Sequence, residues 1–432
     1  MAIKKAVILA AGEGKRLRPL TSTRPKCMIH IAGKPILHHV LDSLREAGVS
    51  QAVVVVKYLP HTIKDYFNNK DCGVELEFVV QGDKYGTAAA FGCACGKFKE
   101  AFYALAGDII TEPSAFKKLS SAHQQEQSKQ GGAQITAALK LVQNPQEYGL
   151  AKVKGDYIES FAEKPKIPTS NLANCSLYVF EPSVFSLIDK VKPSPRGEYE
   201  ITDVLKSAKV RACIIDEYWL DMGLPWQLFA ANEFLLSKMP AKNLGLVENS
   251  TIKGRLILGK NSRVLHSYIE GTVYVGDNCE IGPHAYIRGT TSIGNNCSIG
   301  DSTTIKNSII FDNVNAKHLS YIGDSIVGEG CNFGAATQIA NFRFDAGAIK
   351  ATVNDIIIDT NRNKLGAIIG DKCKFGVLCS IMPGKCVGDG CWIGANVMVE
   401  ADVPGNTWLS LKQDLVSRQV PKIQTRKTTQ KN

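Results

Sequence analysis

The sequence predicts two folded units in series, an α/β domain on a largely parallel sheet and then a parallel β-solenoid. Three observations predict this. The chain has 432 residues, more than one hydrophobic core serves comfortably. Its first 235 or so residues alternate short β-rich runs with helical stretches. Beyond Thr251 the apolar residues instead recur every six positions, a period that neither a helix nor an alternating strand produces.

In the first part, residues 4–9 read as a strand and 36–47 as an amphipathic helix stopped at Gly48. Residues 51–56 are a strand, 61–68 a helix, 75–80 a strand and 86–97 a helix. Residues 102–105 are a strand that ends in Ala106, Gly107 and Asp108. This βαβ rhythm calls for helices on both faces of the sheet and for binding groups at the carboxyl ends of its strands.

The second part carries two unbroken series, Val275, Ile281, Ile287, Ile293, Ile299, Ile305 and Ile369, Phe375, Ile381, Val387, Ile393, Val399, most of them followed by glycine. A period of six with glycine after the aliphatic marks a solenoid with three short faces per coil. One aliphatic per face points inward and stacks on its counterpart in the next coil. Cys279, Cys297, Cys331, Cys373, Cys379 and Cys391 each lie four residues after an inward aliphatic. That corner asks for a small, tolerably apolar side chain, so packing rather than chemistry explains these cysteines. The register breaks at 311–320 and 341–365, where extra residues are expected to leave the solenoid as loops. The predicted organisation is residues 1–237, a linker at 238–250, a solenoid at 251–408 and a basic tail at 409–432.

Composition narrows the function. The chain is 44% hydrophobic and 21% charged, as folded proteins are. Its net charge is +10, and six basic residues against one acid crowd into 409–432 (Lys412, Arg418, Lys422, Arg426, Lys427, Lys431; Asp414). The body is only mildly basic, which gives no argument for nucleic acid and suits phosphorylated small molecules. Apolar runs such as 6–11 and 52–56 are strand length, so no membrane span or signal peptide is expected. Thirteen cysteines without a CxxC framework point to a reducing cytoplasm and no structural metal.

The run Leu-Ala-Ala-Gly-Glu-Gly-Lys-Arg-Leu-Arg-Pro at 9–19 follows the first strand directly. It has neither the Walker A nor the dinucleotide spacing, yet its glycines let backbone N–H groups turn toward phosphates, with Arg16 and Lys26 adding positive charge. Asp108, at a strand end, is a metal ligand or a turn former on these grounds. Together with Arg24-Pro25-Lys26 and Ala32-Gly33-Lys34-Pro35, this run resembles the sugar-1-phosphate nucleotidylyltransferases over essentially residues 3–235. The resemblance implies a Rossmann-like mixed sheet and transfer of UMP or dTMP from UTP or dTTP to a hexose 1-phosphate. It implies that Ala11, Gly12 and Gly14 cradle the triphosphate, that Arg16 holds phosphates and that Lys26 stabilises charge at the reacting phosphorus. Gln81, Gly86 and Thr87 match the base-reading segment. Tyr148, Gly149, Glu163, Lys164 and Asn174 match the sugar-phosphate wall, and Asp108 and Asp221 match two Mg²⁺ ligands. Lys15, Cys27 and the Asn174-Cys175-Ser176 run depart from the family's usual residues.

In the solenoid, His318 and Asn341 sit at the register breaks. A lone histidine beside a polar loop is a general base or an ordinary surface residue. The run His-Leu-Ser-Tyr-Ile-Gly-Asp at 318–324 resembles the left-handed β-helix acyltransferases, in particular the acetyltransferase half of the bifunctional enzymes that make UDP-N-acetylglucosamine. Related archaeal proteins resemble it further through the Asn-Phe-Arg-Phe-Asp loop at 341–345. The resemblance implies a left-handed coil, acetyl-CoA as co-substrate and glucosamine 1-phosphate or galactosamine 1-phosphate as acceptor. It implies His318 as general base; Arg288, Lys306 and Lys364 near the sugar phosphate; Tyr321 and Asn341 orienting the amino sugar; Ala395 against coenzyme A; and a trimer. Val377 stands where that family has Ser. Two alternatives stay open: a nucleotidylyltransferase whose solenoid is structural or regulatory, and a non-catalytic scaffold.

Overall fold

The computed structural model describes residues 3–420. In the amino-terminal half the strands are β1 (Lys5–Ala10), β2 (Gln51–Val56), β3 (Glu75–Val80), β4 (Phe102–Ala106), β5 (Ile109–Thr111), β6 (Ile135–Leu141), β7 (Gly149–Lys154), β8 (Tyr157–Glu163), β9 (Leu172–Phe180), β10 (Val210–Ile214) and β11 (Trp219–Asp221). The helices that position the site are α1 (Ile36–Glu46), α2 (Pro60–Asn68), α3 (Thr87–Gly92), α4 (Pro113–Gln127), α5 (Ile201–Ser207) and α6 (Gln227–Lys238). Among the described residues the main sheet has nine strands in the order β3-β2-β1-β4-β9-β6-β10-β8-β7.

β1, β2, β3 and β4 are parallel, as the βαβ rhythm requires. From β9 onward most pairings are antiparallel, because β7 and β8 are joined by a short turn that leaves no room for a crossover helix. The sheet is therefore mixed. The helix expected over 86–97 is shorter, Thr87–Gly92. Alternate strand residues bury on opposite faces: Ala6, Ile8, Val54 and Leu105 join one core, and Val7, Val53, Val55 and Ala104 join the other.

The carboxyl-terminal half is a parallel β-solenoid whose strands stack coil on coil, as in Ile269↔Ile287↔Ile305↔Ile322↔Ile339↔Ile381↔Val399. Every member of this column is buried. The corner cysteines are buried too, and each thiol donates to a main-chain carbonyl nearby in the stack, Cys279 to Gly294 at 3.0 Å and Cys373 to Gly388 at 3.0 Å. The corner thus selects a small side chain that also satisfies a carbonyl.

Three expectations change. Residues 242–243 and 246–248, expected as linker, are strands paired with Ile257–Leu258 and Arg263–Leu265, so the first coil begins there. The break at 311–320 is a shortened coil, not an extruded loop: Ala316 sits in register between Ile299 and Phe333. The break at 341–365 is a true excursion, and it folds as a β-hairpin of Lys350–Val353 and Ile356–Asp359. At the far end, Trp408–Leu409 still pairs with Trp392–Ile393, so the tail begins after Leu409. Residues 410–420 have no regular structure and are exposed, and Pro421, Lys422, Arg426, Lys427 and Lys431 lie outside the described residues.

The two halves share a core. Ile309, Phe311, Ile326, Ile349, Leu365 and Ile368 of the solenoid half bury into the same cluster as Ile29, Met28, Trp226 and Leu228. Burying Phe311 alone contributes about 2 kcal/mol. Polar contacts fix the alignment: Arg24 pairs with Asp371 at 2.5 Å and Glu329 at 3.1 Å, lies 5.1 Å over the Phe311 ring, and has a side chain only 11% exposed. The Thr23 hydroxyl also donates to Asp371.

Candidate functional site

The first candidate site lies at the carboxyl ends of β1, β4 and β11. The chain leaving β1 must turn back under Lys26. Gly14 makes this possible: its φ is +66°, and a Cβ there would sit 2.8 Å from the Lys26 Cβ. Thr21 closes the loop by donating its hydroxyl to the Gly14 carbonyl at 2.9 Å. The antiparallel pairing of β11 with β5 sets Asp221 opposite Ile109, beside Asp108. The Lys26 ammonium is ion-paired with Asp108 and lies 3.5 Å from Asp221. Burial alone would lower the Lys26 pKa, but Asp108 and then Asp221 outweigh it, and the pKa ends above the usual lysine value. Lys26 is therefore a fixed positive charge. Its neighbour Cys27 is buried, which pushes the thiol pKa up, with Asp108 adding to the effect, so this unusual residue stays a neutral thiol.

Asp221 also lines a cavity of about 580 Å³. Around it stand Arg16, Tyr148, Gly149, Glu163, Lys164 and Asn174, so the structure brings together all five residues expected at a sugar-phosphate wall. Gly149 and Glu163 face each other across the β7–β8 pairing. Tyr148 packs its ring 5.5 Å from that of Trp219. Asn174 is held by the Tyr178 hydroxyl at 2.7 Å. Arg16 lies against Gly223, two residues past Asp221.

The segment 81–87 lies apart from this cavity lining, at the carboxyl end of β3. The buried Gln81 donates its amide N–H to the carbonyls of Lys84 at 3.0 Å and Gly86 at 3.4 Å, which shapes the loop around the side chain. Gly86 has φ +121°, and a Cβ would meet the Tyr199 backbone at 2.4 Å. The Thr87 hydroxyl accepts from the Ile201 amide at 2.9 Å and so holds the start of α5. Tyr199 and its neighbours are thus part of this loop's support, which no local pattern announced. Ala11 is buried at the end of β1, and Gly12 has open space where a Cβ would stand.

Two carboxylates flank Lys26, and among the described residues no group of three or more His, Cys, Asp or Glu side chains is arranged to hold a metal. Two oxygen donors suit a hard cation that takes its remaining ligands from water and phosphate oxygens, so the residues present fit Mg²⁺.

The second candidate site is on the solenoid. Arg288 and Lys306 stack one coil apart in a column continued by Gly323, and Tyr321 lies beside it. The missing side chain at Gly323 leaves room for Asn341, whose amide donates to the Tyr321 hydroxyl at 3.1 Å and to Asp324. Asp324, 3% exposed, also pairs with Lys306 at 2.8 Å. This buried acid ties together two residues singled out from sequence, Lys306 and Asn341, yet sequence reasoning passed over it. The available signal was an acid placed one coil after Lys306. Arg288 rests on the Tyr286 ring at 5.2 Å, with its Nε buried and without a hydrogen-bond partner.

His318 stands half-exposed at a corner, its Nδ1 3.6 Å from Asp301 of the preceding coil. Main-chain bonds run from Leu319 to Asp301, Ala336 to His318, Leu378 to Ala335 and Asn396 to Val377, so one edge of the solenoid carries Asp301, His318, Ala335, Val377 and Ala395 in succession. Ala395 and Val377 are both exposed along that edge. Lys364 is exposed at the base of the excursion, next to Leu365, whose amide donates to the Asn341 carbonyl at 3.1 Å.

Two family models match the chain. The family model for nucleotidyl transferases matches residues 5–238, and the model for the GMPPB C-terminal domain matches 269–403. The "Bifunctional protein GlmU" of Methanocaldococcus jannaschii is 39% identical over 422 residues, covering 96% of this chain and 99% of that one. The "Bifunctional sugar-1-phosphate nucleotidylyltransferase/acetyltransferase" of Sulfurisphaera tokodaii is 36% identical, covering 92% and 98%. The "Low-salt glycan biosynthesis nucleotidyltransferase Agl11" of Haloferax volcanii is 33% identical, covering 77% and 94%. No described helix is long and apolar enough to cross a membrane.

Proposed function

The chain belongs to the nucleotidyl transferase family, among its bifunctional sugar-1-phosphate nucleotidylyltransferase/acetyltransferases, and we propose that it carries out both reactions. Residues 1–237 couple a sugar 1-phosphate to UTP or dTTP and release pyrophosphate. Residues 251–408 move an acetyl group from acetyl-CoA to the amine of glucosamine 1-phosphate or galactosamine 1-phosphate. The carrying observation is the Lys26 ammonium held between Asp108 and Asp221, with Asp221 lining a cavity walled by Tyr148, Glu163 and Asn174.

In nucleotidyl transfer a phosphate oxygen of the sugar 1-phosphate attacks the α-phosphorus, and the bond to the leaving pyrophosphate breaks. The nucleophile is already ionised, so no residue has to remove a proton. The work is positioning and charge neutralisation. Lys26 supplies a permanent charge to the equatorial oxygens from a site that keeps it protonated and in place. Arg16 and the main chain of Ala11, Gly12 and Gly14 hold the triphosphate. Gln81, Gly86 and Thr87 shape the base site; Tyr148, Gly149, Glu163, Lys164 and Asn174 receive the sugar phosphate. Asp108 and Asp221 would hold Mg²⁺, which when bound neutralises phosphate charge.

In acetyl transfer His318 takes a proton from the sugar's nitrogen as that nitrogen attacks the thioester carbonyl, and coenzyme A leaves as its thiolate. Asp301 stands 3.6 Å from Nδ1, so Nε2 is the ring nitrogen left to face the substrate. Arg288, Lys306 and Lys364 serve the sugar phosphate, Tyr321 and Asn341 orient the amino sugar, and Ala395 meets coenzyme A further along the His318 edge. The solenoid is read as left-handed and the assembly as a trimer, on the likeness of its hexads and of the 318–324 run to the β-helix acyltransferases.

The test is pyrophosphate release by the purified full-length protein across a grid of NTPs and hexose 1-phosphates with Mg²⁺. Alongside it, free coenzyme A is measured from acetyl-CoA with amino-sugar 1-phosphates. No pyrophosphate from any pair would overturn the first activity. A second reading keeps nucleotidyl transfer alone and makes the solenoid a support that is joined to the first domain through the Arg24–Asp371 pair. Coenzyme A release that never occurs would select that reading, whereas release that survives His318→Ala unchanged would overturn His318 as the base.

A further inference from the structure

The cavity that holds the sugar-phosphate wall is not lined by the amino-terminal domain alone. Ile358, Asp359, Thr360 and Asn361, at the return end of the hairpin extruded from the solenoid, line it with Arg16, Glu163 and Asp221. We propose that this hairpin end is part of the nucleotidyl-transfer site, and that Asp359 and Asn361 set which sugar 1-phosphate the site accepts. The inference rests on the nucleotidyl-transfer reading above and gives that site a specificity determinant from the other half of the chain.

The hairpin is held as a fixed wall. Ile349, Ala351, Val353 and Leu365 bury into the core shared with Trp226 and Leu228, and Ile358 packs against it. The base is tied by main-chain bonds from Ile349 to Arg362 at 2.8 Å and from Thr360 to Ile349 at 3.1 Å. The Thr360 hydroxyl donates to the same Ile349 carbonyl at 2.6 Å, and the Arg362 guanidinium lies 5.1 Å over the Phe229 ring of α6. Thr360 is therefore spent on structure. Asp359 and Asn361 are not: both are exposed beside the cavity, and the Asn361 main-chain N–H donates to the Asp359 carboxylate at 2.8 Å, which orients that carboxylate.

The chemistry of the pair suits a sugar. A carboxylate accepts from hydroxyl or amide N–H groups, and a carboxamide both donates and accepts, so together they can satisfy neighbouring substituents on a pyranose ring. A phosphate binder would be cationic, and Arg16 and Lys164 already supply cations at this cavity. The hairpin end thus adds hydroxyl- and amide-reading groups where the rest of the lining has phosphate-reading ones. A site built to pair with a particular substituent rejects sugars that lack it, because its own polar groups are then left unpaired.

The experiment uses full-length Asp359→Ala, Asn361→Ala and Asp359→Asn. Pyrophosphate release is followed with glucose 1-phosphate, N-acetylglucosamine 1-phosphate and N-acetylgalactosamine 1-phosphate at saturating NTP, and melting curves are recorded. The alanine variants should raise KM for the preferred sugar 1-phosphate about tenfold and change the kcat/KM ratios among the three sugars. KM for the NTP should stay within about twofold, and Asp359→Asn should recover part of the loss, since one acceptor remains. Sugar KM values and ratios identical to those of an active parent overturn the inference and leave the proposed function standing. Equal losses for all sugars and for the NTP, with a lowered melting temperature, assign the hairpin a structural role only and also overturn it. A parent inactive with every sugar sinks both.

Discussion

The two candidate sites are assembled in opposite ways. At the amino-terminal site, Lys26, Asp108 and Asp221 come from distant stretches of chain and meet because β11 pairs back onto β5. On the solenoid, Arg288, Lys306, Tyr321 and Asp324 meet because residues one coil apart stack in register. The first arrangement buries a charge between two opposite charges and encloses a cavity. The second leaves its histidine half-exposed on an edge. The difference teaches where each half keeps its chemistry: in tertiary convergence on one side, in repeat register on the other. If so, each site should fail alone.

The sharpest break should come from His318→Ala. A positioned general base is typically worth 10²–10⁴ in rate, so coenzyme A release should fall about 10³-fold with pyrophosphate release unchanged. Lys26→Ala should do the converse. Losing one preorganised charge should lower pyrophosphate release about 10²-fold in kcat, with a smaller change in KM, and leave coenzyme A release alone. If either variant cost both activities equally, the independence of the two sites would be gone.

Asp371→Ala sharpens the comparison at the junction. It leaves Arg24, 11% exposed, with only the more exposed Glu329 as partner. Removing one member of a buried pair costs about 3–5 kcal/mol. Arg24 lies two residues before Lys26, so calorimetry should show a lower melting temperature and pyrophosphate release should fall several-fold. Coenzyme A release should move less, because Asp371 lies on the face packed against the amino-terminal domain.

How much of this was legible follows the same division. The hexads named the inward positions from Val275 to Ile305 and from Ile369 to Val399, and they explained the corner cysteines, because solenoid packing repeats at a fixed chain spacing. The βαβ rhythm placed β1, β2 and β3 within a residue of their bounds. The antiparallel half of the sheet was not legible, since strand direction depends on which strands pair and not on local pattern. Lys26 and Asp108 were candidates on local grounds, but Asp221 was nameable only through family resemblance, and nothing in their own neighbourhoods says that the three meet. Asp371 and the hairpin end at 358–361 were missed for the same reason. Their partners lie in the other half of the chain, and the excursion at 341–365 looked like an ordinary loop until its hydrophobic residues found a core to enter.

The smallest expected effect is a pH dependence that separates the junction from the amino-terminal site. His30 packs between Tyr66 and Phe311, where the halves meet. Burial lowers its pKa to about 4; Asp312 and Asp371 pull it up, and Arg24 pushes it down. In the unfolded chain an imidazole titrates near 6.5. Between those values the unfolded state binds a proton that the folded state refuses, so stability present above pH 6.5 is lost as pH falls toward 4. Lys26 behaves oppositely: its pKa is raised, so its contribution is complete below the ordinary lysine value and fades only as pH rises beyond it. The melting temperature should therefore drop between pH 7 and 5 while Lys26 keeps its charge. His30→Gln, which cannot titrate, should flatten that drop by a few degrees in a pH series of melting curves. An unflattened slope would place the acid sensitivity elsewhere than at the junction.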